Sequence, residues 1–454
     1  MPPAGPARLT IQSTLTAAGL SPAEAERKAA LFASVEQALS ANSQALPQRW
    51  FVPGRIEVLG KHTDYAGGRS LLAAVERGFC VAAVPGNDPV VRVTAAAEGT
   101  SFTLPLAPVQ PLPPGSPGWA LYVHTVVTRL ARDFPGALAG MEIAFASDLP
   151  PASGLSSSSA LVVGLFAALA DRARLAEHPD YRSELSSATD LGGYLGSIES
   201  GYGFGRFAGG GGVGTFAGSE DQAAILCCRA GELAQFAFCP VRHERSLPWP
   251  RGWTFVIAAS GVPSDKTGAV QERFNRLSLA AGALLALWNR STGRQDPSLG
   301  AAMATPGAVE ELARRVATTV VPGFERSFLS GRLEQFVTES MEIVPAVAER
   351  IAQGQIVSLG PWVDRSQELA DRGLGNQVPE TRFLAASARR LGAAAASAFG
   401  GGFGGSVWAL VEQAEAERFL LRWRDVYLAA FPEPGRHASF FATDPGPPLL
   451  HLAS

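Results

Sequence analysis

The chain has 454 residues, 46% of them hydrophobic, and a formal net charge of −3. That apolar content is enough for two domains and too much for one ordinary core, while the near-neutral charge excludes the broad basic footprint of a nucleic-acid binder. No apolar run reaches membrane-spanning length and no leader-like stretch opens the chain, so a soluble cytoplasmic protein with no membrane attachment is expected.

In chain order, residues 21–41 read as an amphipathic helix, with Ser21 at the cap, Pro22 in the first turn and Glu24 three positions on. The stretch "RWFVPGRIEVLG" reads as a strand that runs into a charged cluster, "KHTDY". A strand at about 141–147 enters a Pro/Gly/Ser loop and leaves as a long helix beginning near Ser157. Residues 185–200 read as helical and end at a glycine-rich loop. "AAILCCRAGELAQFAFCPV" reads as a hairpin turning at Ala230–Glu232. The break "LPWPRG" separates an expected first domain, 1–248, from a second, 249–454, which is mainly helical before a second glycine loop and the strand "SVWALV". Strands and helices without regular alternation predict an α+β fold. The cysteines, Cys80, Cys227, Cys228 and Cys239, lack metal-site spacing and are expected to be buried small hydrophobes.

Three stretches carry chemistry. In "LPPASGLSSSSAL", Gly154 and four consecutive serines open a helix. Free N–H groups and the positive end of the helix dipole favour an anion there, and Ser156 to Ser159 add donors or a magnesium ligand. A plain helix cap is the bland alternative, but a cap needs one serine. "GSEDQ" brings adjacent Glu220 and Asp221 after the glycine loop, and Glu199 precedes that loop. Carboxylates, a metal and a phosphate cradle together make a phosphoryl-transfer site. "FGGGFGGS" is a second place where backbone can approach a ligand closely.

These stretches, in this order, resemble the three motifs of the GHMP small-molecule kinases, and within that superfamily the galactokinase branch. "GRIEVLGKHTDY" is similar to G-R-x-N-x-I-G-E-H-T-D-Y, "PPASGLSSS" to P-x-x-x-G-L-S-S-S and "GGGFGG" to G-x-G-F-G-G; "GSEDQ" is similar to G-x-M-D-Q. The resemblance implies a two-domain GHMP kinase fold, with a ribosomal-protein-S5-like N-terminal domain and a ferredoxin-like C-terminal domain. It further implies ATP-dependent phosphorylation of a hexose at its anomeric hydroxyl, with ATP and Mg2+ bound, by a monomer or weak homodimer. Asp221 would be the base or orienter of that hydroxyl, with Arg55 stabilising charge beside it. Gly154, Leu155, Ser156, Ser157, Ser158 and Gly402 would bind ATP, Ser157 and Glu199 the metal. His62, Asp64 and Gly218 would line the sugar pocket.

The departures from the pattern are as informative as the matches. Glu57 replaces its Asn, and Lys61 replaces a Glu that accepts a hydrogen bond from the sugar's C6 hydroxyl in the family. A lysine cannot accept. Of 38 basic residues only Lys28, Lys61 and Lys266 are lysines, and Lys61 and Lys266 fall in segments that would face the sugar. One reading is that Lys61 reads an acceptor-rich group, such as the C6 carboxylate of galacturonate; the bland alternative is that it points to solvent or pairs with Glu57 or another acid while C6 is read elsewhere, and galactose is the default substrate. The segment between Glu199 and Asp221 is longer than in the pattern, so a mobile lid is expected there. A non-catalytic sugar sensor on the same fold is the alternative of a different class; the complete set of Arg55, Ser156 to Ser158, Glu199 and Asp221 weighs against it.

Overall fold

The computed structural model describes residues 10–39, 45–264 and 268–452. Its strands, in chain order, are β1 Gln48–Leu59, β2 Arg69–Pro85, β3 Val90–Ala95, β4 Thr100–Pro105, β5 Met141–Ser147, β6 Glu232–Ala237, β7 Arg242–Pro248, β8 Trp253–Ala259, β9 Ala395–Phe399, β10 Ser406–Glu412, β11 Ser439–Thr443 and β12 Leu450–Leu452. They form two sheets among the described residues. The first runs β12-β1-β2-β5-β3-β4, with β6 and β7 added beside β2; the second runs β11-β8-β10-β9. Only β3 and β5 pair in parallel within them.

The second sheet is antiparallel, and with helices Pro379–Arg390 and Ala416–Ala430 on one face it has the strand order and connections of a ferredoxin-like unit. Alternation along β8 explains how it is buried twice. Val256 and Ala258 meet Trp423 and Tyr427 of the covering helices, while Phe255 and Ile257 join the large core shared with the first sheet. The expected break at 248/249 falls between β7 and β8, which lie in different sheets. The last strand, β12, returns to pair with β1. Helix Ser157–Arg172 packs on β1 and β2, and helix Pro22–Gln37 covers the other side with Phe32 and Val35. A helical insertion between β8 and β9 has its own core, into which Ala66 is buried.

Three expectations need correction. The helix starting at Pro22 ends at Gln37, and Ser21 makes no side-chain cap; its N–H is donated to Glu76 instead (2.6 Å). Glu220–Cys227 is a helix, not the first arm of a hairpin, and only β6 and β7 form the hairpin. A short apolar run fits either structure by periodicity, and here two acids at the helix start favour the helix. Cys239 is exposed while Cys80 and Cys228 are buried. No helix among the described residues is long and apolar enough to cross a membrane.

Candidate active site

After β5 the chain turns through 148–156 into helix Ser157–Arg172. Ser156, with φ +64°, stands at the helix cap without making a capping bond, and its buried Oγ has no partner. The helix start therefore keeps its N–H groups for a ligand. It opens into a cleft of about 860 Å³ whose lining includes Ser156, Ser157 and Ser158 together with Trp119, Tyr122 and Phe145. Trp119 stands edge-on to Phe145, ring centroids 5.4 Å apart.

The loop is braced from beneath. Ser406 Oγ donates to the Ser153 carbonyl (2.6 Å), and Ser264 N–H donates to that of Ala152 (2.8 Å). Backbone meets backbone where the two glycine loops cross: a Cβ on Gly400 would stand 2.9 Å from the Gly154 oxygen. From the N-terminal helix, fully buried Lys28 reaches Asp148 at the loop's entry and also Glu24.

A second pocket adjoins this cleft, and Arg55, Asp221 and Gly401 line both. Arg55 Nη2 pairs with Asp221 Oδ1 at 2.6 Å, its Nε faces Glu220 at 3.7 Å, and its Nη1 donates to the Gly154 carbonyl at 2.6 Å. One guanidinium thus ties the acid to the phosphate loop. Ser159 Oγ lies within donating distance of Glu199 Oε2 (2.7 Å) and Asp221 Oδ2 (3.1 Å), and Gln222 Nε2 donates to the same Glu199 oxygen (2.7 Å). A carboxylate at Glu199 and a hydroxyl at Ser157 are hard oxygen ligands that suit magnesium, which takes its remaining ligands from water and phosphate.

The turn after β1 is shaped from the helical insertion. Buried Arg332 donates to the His62 carbonyl (2.6 Å) and Gln335 to that of Lys61 (2.9 Å). His62, at φ +57°, places Nδ1 3.0 Å from Tyr65 Oη and Nε2 3.1 Å from the Gly401 carbonyl. Asp64 accepts from the Glu220 N–H (3.1 Å), and a Cβ on Gly218 would stand 2.2 Å from its carboxylate, so the position requires glycine.

The structure thus gathers Arg55, His62, Asp64, Gly218, Glu199 and Asp221 around one pocket, and Gly154 and Ser156 to Ser158 around the other. Lys61 is placed differently from the expectation. It is 1% exposed, lies off the pocket lining, and donates to Ser366 Oγ at 2.9 Å. Ser366 in turn donates to Glu339, which also receives the Gly60 N–H (2.8 Å). Leu155 contributes its carbonyl to the Arg55 N–H rather than a side chain to the cleft. Gly402 packs against Asn376, and Gly401 takes the place beside the cleft. Lys266 lies outside the described residues. The segment expected to be a lid is pinned on both flanks: Arg132 Nη1 donates to Gly209 and Arg129 Nη1 to Tyr202, while Asn275 exchanges bonds with Gly214 and Phe216.

Sequence reasoning left Ser159, Glu57 and Gln222 without individual roles. The signal for Glu57 was present, since it stands two residues from Arg55 on a strand and so on the same face. Burial pushes Glu57 up, opposed by Arg55 and Lys61, to about 7; burial together with Glu57 and Asp64 holds Glu220 well above the usual carboxylate range. Arg55 loses basicity to burial and regains more than that from Asp221, Glu220 and Glu57.

A carboxyl whose pKa rises on folding stabilises fully below its unfolded value and loses that contribution as pH climbs through the folded one. Glu57→Gln is therefore expected to gain stability relative to the native chain as pH rises from about 4.5 to about 7. Melting temperatures of the two proteins at both ends of that window check this. A difference that does not change with pH would remove Glu57 from the titrating pair.

Comparison with known proteins agrees with this arrangement. Residues 40–85 match the family model of the galactokinase galactose-binding signature, 121–203 that of the GHMP kinases N terminal domain, and 344–429 that of the GHMP kinases C terminal region. A galactokinase of Actinobacillus pleuropneumoniae serotype 5b (strain L20) is 26% identical over 383 residues, covering 82% of this chain and 86% of that protein. A galactokinase of Streptomyces coelicolor is 27% identical over 387 residues, covering 84% and 89%. In fold, the crystal structure of Lactococcus lactis galactokinase complexed with galactose superposes with a TM-score of 0.76 at 22% identity, covering 93% of this chain and 99% of that one. Signature and both kinase regions fall in one order along the chain, which matches the GHMP kinase models over these stretches and resembles galactokinases over most of its length.

Proposed function

We propose that the protein transfers the terminal phosphoryl group of ATP to the anomeric hydroxyl of a galactose-type hexose. One observation carries this reading: Arg55 and Asp221 stand where two pockets meet, one opening on a helix N-terminus with three serines and the other ringed by hydrogen-bonding side chains. A donor phosphate bound on one side and a hydroxyl bound on the other would meet at that pair. Unsatisfied buried atoms agree, since Arg55 Nε, Ser156 Oγ and Gln222 Oε1 belong to residues that line these cavities and have no hydrogen-bond partner.

In this mechanism the aromatic wall of Trp119, Tyr122 and Phe145 receives the base, and the open start of helix Ser157–Arg172 holds the phosphates. Asp221 accepts the hydrogen bond of the anomeric hydroxyl and takes its proton as that oxygen bonds to phosphorus and the bond to the bridging ADP oxygen breaks. Arg55 keeps Asp221 aimed and balances charge that develops on the transferring group. Glu199 and Ser157 would hold magnesium, which neutralises phosphate charge when bound.

Galactose is preferred over a uronate because the Lys61 ammonium is directed at Ser366 and not at the pocket. ATP consumption with magnesium over galactose, glucose, galacturonate, glucuronate and N-acetylgalactosamine tests the proposal. Turnover of galactose well above the uronates is expected. Preferred turnover of a uronate would return Lys61 to the substrate, and galactose binding without turnover would leave a sensor.

A further inference from the structure

The sugar-side pocket contains one acid whose position calls for a ligand. Glu57 is 3% exposed and lines the pocket, and its Oε1 has no hydrogen-bond partner. The rest of its surroundings is satisfied from behind. The positive charges of Arg55 and Lys61 oppose the effect of its burial, and Ser70 Oγ donates to the neighbouring Glu220 at 2.6 Å. Gln222 Oε1, in the same wall, is likewise unpartnered because its Nε2 is committed to Glu199. The wall therefore presents two buried acceptors and nothing that donates to them.

The departures from the sequence pattern converge here. Glu57 replaces its Asn, Lys61 its Glu and Glu220 its Met. The net charge of the three positions is unchanged, but the acid has moved from 61 to 57 and 220. The lysine that looked like a reader of substrate donates to Ser366 instead, and its charge, with that of Arg55, favours the ionised form of Glu57.

We propose that Glu57 is a specificity-determining contact, accepting a hydrogen bond from the sugar, so that the pocket takes hexoses presenting a donor there, hydroxyl or ammonium, and refuses those presenting a carboxylate. This inference rests on the sugar-kinase reading. An acceptor-only group opposite Glu57 Oε1 would leave both buried and unsatisfied, whereas a donor removes the deficit. Burial raises Glu57 to about 7 against the opposing charges of Arg55 and Lys61, so the test is run above that pH, where its carboxylate form prevails.

The test is a cycle over 2-, 3-, 4- and 6-deoxygalactose with the native enzyme and Glu57→Ala, reading kcat/KM for each sugar relative to galactose. One deoxy sugar is expected to lose at least about tenfold with the native enzyme and less than about twofold with the variant, which identifies the hydroxyl that Glu57 holds. Should Glu57→Ala fail to fold with Lys61 left uncompensated, Glu57→Gln replaces it. With Glu57→Gln, galacturonate is expected to rise relative to galactose by about tenfold, because the amide can donate. Equal losses for every deoxy sugar in native and variant enzymes, or an unchanged galacturonate ratio in Glu57→Gln, would overturn the inference and leave the kinase reading intact. Absence of turnover of any sugar by the native enzyme would overturn both.

Discussion

Asp221→Asn is expected to lower kcat by a factor on the order of 10² to 10⁴, the usual contribution of a positioned base, while nucleotide affinity stays within about twofold. The two effects separate because the amide is nearly the size of the acid and leaves Arg55 its bond to the Gly154 carbonyl, so the phosphate loop keeps its brace while the proton acceptor is lost. With its one oxygen kept on Arg55, the amide turns its NH2 towards Ser159 and cannot take a proton, and Arg55 is left with Glu220 at 3.7 Å as its nearest charged partner. A coupled assay of ADP release reads the first effect and calorimetric titration with ATP the second. Full turnover in the variant would remove Asp221 from proton transfer and leave it as an anchor for Arg55.

Lys61→Glu is expected to destabilise the protein by about 3–5 kcal/mol, the range for a buried charge left uncompensated. The new acid would sit among Glu57, Glu339 and Ser366, in a place with no water to screen it. Urea unfolding reads the loss. Adding Glu339→Gln to the variant is expected to restore part of it, because one of the repelling charges is gone. A Lys61→Glu protein of native stability with altered sugar preference would mean that the ammonium meets the substrate after all. Lys28, also fully buried and paired to Glu24 and Asp148, shows the same use of lysine in a chain that otherwise prefers arginine. A compact ammonium fits a closed space that a planar guanidinium does not.

The two predictions differ in how far sequence alone led to them. Asp221 and Arg55 were identifiable because each sits in a short stretch that resembles a family motif. Ser156 to Ser158 follow a loop that only a few residue types allow, and their N–H groups are presented by the helix start itself. The direction of Lys61 was not identifiable. Its partner Ser366 is 305 positions away in sequence, and the Gly60 N–H that fixes the turn is held by a glutamate 279 positions away. Helix Glu220–Cys227 was misread for a related reason, since its buried Ala223, Ala224 and Ile225 carry no period that distinguishes helix from strand.

What the sequence by itself determined is the set of local devices: a glycine-bent phosphate loop on a helix N-terminus, a strand bearing Arg55 and Glu57 on one face, and an acid after a glycine loop. These depend on backbone torsions and on the fixed periods of strand and helix, which neighbouring residues dictate. Only the tertiary structure decided which charged side chains meet solvent or ligand and which meet each other. Burying a charge is tolerable only beside a partner, and the partners of Glu57 and Lys61 come from Glu220, Glu339 and Ser366, brought in by helices far along the chain.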